Sequence, residues 1–101
     1  MQFEWDDSKN ERNIATHGID FGDVEAMFGY LLLTSLDERF DYGEDRWVSI
    51  GMLGPGYAVV IWTERDAAII RIISARRANK DERQRYETYL AHQLGASPRD
   101  G

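Results

Sequence analysis

The sequence predicts an α+β domain with two N-terminal helices, a twisted antiparallel sheet of three to five strands and a C-terminal helix. Two segments with helix-capping signals come first, three β-branched runs joined by short turns follow, and a capping box opens a last helix. Short connections between successive strands favour an antiparallel meander. One layer of helices on a sheet is the architecture that this order of elements favours.

The N-terminal half is predicted to hold one short strand, two helices and a second strand. The predicted elements are a strand over residues 3–5, a helix from Asp7 to about His17 that ends at Gly18, a helix from Phe21 to Phe28, and a strand over residues 30–34. Acidic residues at the helix starts and glycines after the helix ends support these limits. An acidic loop, 37–45, follows.

The C-terminal half is predicted to supply the rest of the sheet and the last helix. Strands are expected over residues 46–53, 57–64 and 69–76, with turns at the Gly-Pro-Gly of 54–56 and at 65–68. Asn79 and Glu82 form the capping box of the last helix, which is expected to end at Gly95. Residues 1–95 are therefore predicted to be a single domain, and 96–101 a flexible tail.

Composition narrows the class of protein. The 101 residues are 43% hydrophobic, which favours a globular chain, and they include no cysteine for disulfides or thiolate metal sites. Neither a signal peptide nor an apolar run of about 20 residues is present, so we expect a cytoplasmic protein without membrane, metal or cofactor.

The net charge of −6 is unevenly distributed. Residues 1–45 contain twelve acidic and three basic side chains, whereas residues 46–101 contain six acidic and nine basic ones. The asymmetry indicates either a solvated acidic surface or a basic half that meets phosphate or an acidic partner.

The stretch 69–78 combines strand-forming isoleucines with arginines, which cannot lose their charge. A buried arginine needs a carboxylate, carbonyls or a phosphate-like ligand. Regular alternation would put Arg71 and Arg76 on opposite faces of the strand, unless a bulge near Ser74 reunites them. The sequence leaves that choice open.

A set of motifs in this order resembles the BrnT family of type II toxins over about nine-tenths of the chain. The motifs are Phe3-Glu4-Trp5-Asp6, Asn13, His17-Gly18, Phe21, Gly43-Glu44-Asp45-Arg46, Gly51, Arg71-Ile72-Ile73-Ser74-Ala75-Arg76, Ala78, Glu82 and Tyr86. The resemblance implies a compact RelE-like fold and a metal-independent ribonuclease that inhibits translation. It also implies a BrnA-like antitoxin with a ribbon–helix–helix domain, through which alone DNA would be contacted. Thr16 departs from the family, which usually has lysine at that position.

RNA cleavage without metal needs groups that move protons and a cation that stabilises the charged transition state. The candidate catalytic residues are His17, Glu44, Arg46, Arg71 and Arg76. The candidate RNA-binding residues are Arg65, Arg77 and Tyr86. Both His17 and Glu44 are candidates for the general base, since histidine titrates near neutral pH and Glu44 lies two residues from Arg46.

Each candidate also has a structural explanation. Glu44 and Arg46 can form a simple ion pair, Arg71 can pair with Glu64 of the neighbouring strand, and Arg76 can share an anion with the next helix N-terminus. The alternative to a ribonuclease is a catalytically weak or inactive module of the same fold. Such a module would act through antitoxin binding and operon autoregulation.

Overall fold

A computed structural model describes residues 1–95, in which a five-stranded sheet has helices on both faces. The strands are β1 (Gln2–Glu4), β2 (Leu33–Leu36), β3 (Trp47–Leu53), β4 (Gly56–Arg65) and β5 (Ile69–Arg77). The helices are α1 (Asp7–His17), α2 (Phe21–Val24) and α3 (Lys80–Gln93), and a 3-10 helix, Glu25–Gly29, follows α2. The α+β class is confirmed, and the RelE-like layout stays a prediction. The proposed tail, 96–101, lies outside the described residues.

The sheet is mixed, so the prediction of a purely antiparallel sheet is wrong at one edge. The strand order is β1-β5-β4-β3-β2, and β1 runs parallel to β5 while the other neighbours are antiparallel. The first strand cannot join a hairpin with β5, because most of the chain separates them in sequence. The β4–β5 hairpin turns through Asp66 and Ala67, which both have the positive φ of a type I′ turn (53° and 60°).

The N-terminal helices pack on one sheet face, which we call the helical face. Phe21, Val24 and Met27 are at most 1% exposed and pack with Val60 and Ile72. Helix α2 is shorter than predicted, because the backbone tightens into the 3-10 helix after its first turn. This layer forms the larger part of the core.

Helix α1 has the predicted ends. The Asp6 side chain accepts the Lys9 backbone N–H at 3.1 Å, and Gly18 ends the helix in the left-handed region at φ 72°. Asn13 is buried, and its side chain donates to the Ile19 carbonyl (2.9 Å) and accepts from the Ala75 backbone N–H (3.1 Å). The amide thus fixes α1 against β5.

The opposite sheet face, which we call the arginine face, is covered in part by α3. Tyr86 is fully buried against Ile50 and Val59. Tyr86 is also the only buried residue of α3, so the contact of this helix with the sheet is narrow. The second face, which a single layer of helices would leave open, is therefore partly covered.

A β-bulge in β5 sets which side chains reach the arginine face. Opposite β4, Ser74 pairs with Ile61 but Ile72 pairs with Trp62, so Ile73 is an extra residue. A single extra residue reverses the alternation of a strand. Arg71 and Arg76, which regular alternation would separate, consequently share one face.

Two further points concern the limits of the elements. The strand predicted over 30–34 begins three residues later, at Leu33. Within residues 1–95, no helix has the length and apolar character needed to cross a bilayer.

Candidate active site on the arginine face

Three arginines belong to the arginine face, two in β5 and one directly before β3. Arg71 lies opposite Thr63, and Arg76 lies opposite Val59, whose side chain packs under Tyr86. Directly opposite residues project to the same side of a sheet. Arg46 directly precedes β3 and continues the alternation of Val48, which packs with the same cluster.

Arg46 is held at the start of β3 by the acidic loop. Its Nε atom contacts Glu44 Oε2 at 3.2 Å, and its guanidinium lies 4.0 Å from the centre of the Tyr42 ring. The side chain is 25% exposed, so one side of the guanidinium is open to solvent. The expected Glu44–Arg46 ion pair is present.

Arg71 pairs with Glu4, whereas the ion pair suggested by the sequence was with Glu64. Glu4 lies opposite Arg71 in the parallel β1–β5 pair, and its Oε2 contacts Arg71 Nη1 at 2.8 Å. The same oxygen lies 3.0 Å from Arg65 Nη1, so one carboxylate joins two arginines. Glu64 lies opposite Ile70, which projects to the other face.

Glu82 of α3 accepts hydrogen bonds from both terminal guanidinium nitrogens of Arg76. Nη1 contacts Oε1 at 2.8 Å and Nη2 contacts Oε2 at 2.7 Å. The hydrogen bonds from Arg76 are the main reason that the pKa of Glu82 falls to about 2, and they raise the pKa of Arg76. The helix N-terminus and Arg76 do share an anion, but that anion is a side chain of the protein itself.

His17 lies at the C-terminal end of α1, beside the bulge of β5. It is exposed and lines an open concavity of about 300 Å³ together with residues of α1 and β5. The other lining residues are Lys9, Arg12, Asn13, Thr16, Ile73 and Ser74. Ser74 lies between Arg71 and Arg76 on the arginine face, so the concavity borders that face.

Arg77 and Tyr86 do not join this group. Arg77 lies opposite Ala58 of the helical-face core, and its guanidinium donates to the Leu53 carbonyl at 3.2 Å. Tyr86 is fully buried and donates to the Leu31 carbonyl at 2.8 Å, and burial raises the pKa of its hydroxyl. The structure gives Tyr86 a packing role beneath α3.

Sequence profiles identify the family. Residues 5–82 match the profile described as "Ribonuclease toxin, BrnT, of type II toxin-antitoxin system". The chain belongs to the BrnT family. Membership brings with it an antitoxin protein as partner, since the family is defined within type II toxin–antitoxin systems.

A solved BrnT structure has the same fold. The crystal structure of the Brucella abortus ribonuclease toxin BrnT superposes with a TM-score of 0.60 at 29% sequence identity, over 79% of this chain and 99% of that one. No functionally curated protein matches the chain. The predicted BrnT membership is thus confirmed by both the profile and the structural match.

The site of this BrnT chain also contains residues that the sequence interpretation did not select. Asp37 is buried and accepts two hydrogen bonds from the Arg39 guanidinium (2.8 and 2.9 Å) and one from the Tyr42 hydroxyl (3.0 Å). Hydrogen bonds from Arg39 hold the pKa of Asp37 far below its usual range. This network folds the loop compactly beside Arg46.

The loop also brings Arg39 toward the arginine face. Although the Glu82 hydrogen bond dominates and raises the pKa of Arg76, the positive charge of Arg39 opposes that rise. Nothing in the local sequence signals this approach, because it depends on how the loop folds. By contrast, Lys9, Arg12 and Thr16 follow one another at intervals of three and four residues. The sequence therefore already indicates that they share one side of α1.

The side chains of the BrnT site include anion-binding groups and a proton-transfer group. Within residues 1–95, no group of three or more His, Asp or Glu side chains is arranged to hold a metal ion. The arginines offer planar, permanently charged forks for phosphate oxygens, and the His17 imidazole can donate or accept a proton. Anion binding combined with proton transfer is the chemistry that this arrangement supports.

Proposed function

We propose that this BrnT chain is a metal-independent endoribonuclease that cleaves RNA and thereby inhibits translation. The observation that carries the proposal is the bulge at Ile73, which puts Arg71 and Arg76 on the face to which Arg46 also belongs. Ser74, between them, borders the concavity that contains His17. Ser74 therefore links the face that carries the phosphate-binding cations with the concavity that contains a group for proton transfer.

The proposed reaction is an internal transesterification. The 2′-oxygen of a ribose loses its proton to a base and attacks the adjacent phosphorus, while the bond from phosphorus to the 5′-oxygen breaks. The leaving oxygen receives a proton, and the products are a 2′,3′-cyclic phosphate and a free 5′-hydroxyl. Arg71 and Arg76 bind the non-bridging oxygens, where negative charge accumulates.

We assign proton transfer to His17. Its side chain is exposed on the concavity, whereas Glu44 is engaged by Arg46 at 3.2 Å. Glu44 is then a positioning residue that orients the Arg46 guanidinium toward the substrate. Arg65, which shares Glu4 with Arg71, is the proposed RNA contact at the adjacent edge.

Substrate must replace carboxylates that already occupy the arginines. Glu4 and Glu82 are the partners of Arg71 and Arg76, and both guanidinium groups are partly exposed (32% and 45%). Ion pairs open to solvent contribute only about 0–1 kcal/mol each, so exchange for a phosphate is energetically accessible.

Arg76→Ala tests the proposal, with Arg85→Ala as a control of equal charge on the exposed side of α3. We expect Arg76→Ala to lower the rate of RNA cleavage in EDTA by about 10²-fold, the scale for loss of one preorganised donor. Arg85→Ala should cleave at the wild-type rate. The proposal fails if purified wild-type protein leaves RNA intact, or if growth arrest on expression is the same for both variants.

The antitoxin is proposed to be BrnA-like, with a ribbon–helix–helix domain through which DNA is contacted. Co-purification of this chain with the product of an adjacent reading frame, followed by operator binding with and without that product, tests this step. Operator binding by the toxin alone would contradict it.

One observation favours a second candidate, a binding module without catalysis. Arg46, Arg71 and Arg76 each already have a carboxylate partner, so none of these three side chains needs RNA to form an ion pair. A protein of this kind would bind its antitoxin tightly, show no RNA cleavage, and leave growth unchanged when expressed alone.

A further inference from the structure

Two cations of α1 differ from the arginines of the sheet. Within residues 1–95, neither Lys9 nor Arg12 forms a salt bridge, whereas Arg46, Arg71 and Arg76 all do. Lys9 and Arg12 are exposed and three residues apart, and both line the concavity beside β5. They add positive charge that no carboxylate of the described chain neutralises by direct contact.

The acidic residue that caps α1 stays outside the concavity. Asp6 caps α1, and its carboxylate accepts the Lys9 backbone N–H at 3.1 Å. That hydrogen bond is the main reason that the pKa of Asp6 is lowered, and the charges of Lys9 and Arg12 add to it. Asp6 does not line the concavity.

The bulge connects this concavity to the candidate active site. Ile73 and Ser74 form its wall on the β5 side, and Ser74 also lies between Arg71 and Arg76 on the arginine face. The wall therefore offers a hydroxyl, which can bind a phosphate oxygen. A chain that leaves the arginine face over Ser74 enters the concavity next.

We propose that this concavity is a second phosphate subsite, in which Lys9, Arg12 and Ser74 bind the RNA backbone next to the scissile phosphate. The inference rests on the proposed function, because it assumes that RNA occupies the arginine face. The subsite holds the strand and positions it, while the arginine face carries the reaction. Contacts of this kind supply affinity without reading sequence.

Salt-dependent binding tests the subsite separately from catalysis. A fluorescein-labelled 2′-O-methyl RNA 12-mer keeps the phosphates but has no free 2′-hydroxyl, so it binds without being cleaved. Fluorescence anisotropy between 50 and 200 mM KCl would be compared for wild type, Lys9→Gln/Arg12→Gln and Arg83→Gln/Arg85→Gln. The last variant changes net charge equally on an exposed part of α3.

We expect the slope of log K against log salt to become shallower by about 1.4 in the α1 variant, because each lost single-strand phosphate contact changes it by about 0.7. At the lowest salt the affinity should fall by about tenfold or more. The α3 variant should stay within about twofold of wild type. The single variants Lys9→Gln and Ser74→Ala should each lose less RNA affinity than the double variant. Circular dichroism of each variant checks that a loss of affinity does not come from unfolding.

Three outcomes would overturn the subsite. Equal slopes for the α1 and α3 variants would show that the salt dependence reflects net charge and not a specific site. Unchanged RNA binding with lost antitoxin binding would make the concavity a protein-docking site, and failure of wild type to bind the 12-mer would exclude an RNA subsite altogether. If wild type binds with the expected slope but cleaves no natural RNA, the subsite stands and the ribonuclease proposal fails.

Discussion

Both oxygens of Glu82 face both terminal nitrogens of Arg76, at 2.8 and 2.7 Å, and Oε1 also accepts the Asn79 backbone N–H at 2.9 Å. One carboxylate therefore completes the capping box of α3 and neutralises the arginine that we assign to phosphate binding. In the absence of RNA, Glu82 occupies the place of the proposed ligand.

Glu82→Gln should bind RNA several-fold more tightly than wild type, because the competing charge at Arg76 is removed. The same change should lower the free energy of unfolding by about 1 kcal/mol, since the charge-assisted pair with Arg76 is lost while the glutamine oxygen can still cap α3. Urea unfolding and anisotropy with the 2′-O-methyl RNA measure both effects. Asp81→Asn, which changes the same charge in the same helical turn, is the control. Equal RNA affinity of the two variants would show that Glu82 does not compete for Arg76.

Acid should destabilise the fold in a defined range. The pKa of Glu82 is depressed to about 2, chiefly by the Arg76 hydrogen bonds, and that of Asp37 is also depressed, chiefly by Arg39. A carboxyl group whose pKa is lower in the folded state stabilises the fold at pH values above its unfolded pKa of about 4. This contribution is lost as the pH falls. Arg76 is 45% exposed and Arg39 is 65% exposed, so solvent screens both pairs. For Glu82 we expect a loss of about 1 kcal/mol between pH 4.5 and 2.

Urea unfolding at pH 7, 4.5, 3 and 2.5 measures the acid effect. Glu82→Gln should show a flatter dependence than wild type below pH 4.5. Identical dependence in wild type and variant would mean that the Arg76–Glu82 contact contributes nothing to folding.

Asn13→Ala should destabilise the fold by about 2–4 kcal/mol, because it leaves a buried N–H of Ala75 and a carbonyl of Ile19 without a partner. Asn10→Ala removes two hydrogen bonds of similar length at a less buried position, to Phe21 N and to Asp20, and should cost about 1 kcal/mol. Chemical denaturation compares the two. An equal loss in both variants would contradict a special role for Asn13.

Ser49→Ala should cost about 1–3 kcal/mol, because the Trp62 indole N–H would lose its acceptor in the interior. The Ser49 hydroxyl is fully buried and also bonds Thr34 Oγ1 at 2.7 Å. Tryptophan fluorescence during urea unfolding reports the stability and the changed environment of Trp62. Ser35→Ala, on the exposed side of β2, should stay within about 0.5 kcal/mol of wild type.

Local signals predicted the helices well and the limits of some strands less well. Asp6 and Gly18 cap α1, and Asn79 caps α3, through short-range contacts that the sequence specifies. Helix α1 begins and ends where its two caps predict. The run of leucines at 31–33 has no flanking signal that fixes a start, so the strand was placed too early. Helix α2 was predicted too long, because its apolar spacing suits a 3-10 helix as well.

The grouping of the site depended on information that local sequence does not contain. Whether Arg71 and Arg76 share a face is decided by a bulge, which pairing with β4 reveals and composition does not. The partner of Arg71 was misassigned for a similar reason. Glu4 lies 67 residues away and meets Arg71 only because β1 joins the sheet in parallel.

The pairing of β1 with β5 sets the point in synthesis at which the sheet can be completed. Glu4 emerges from the ribosome well before Arg71, so the contact between the two residues closes a loop that contains most of the chain. Closing long loops costs entropy and slows folding, and vectorial synthesis adds the delay of translation itself. The edge of the sheet that joins Glu4 to Arg71, and with it the arginine face, is therefore completed only after β5 has emerged.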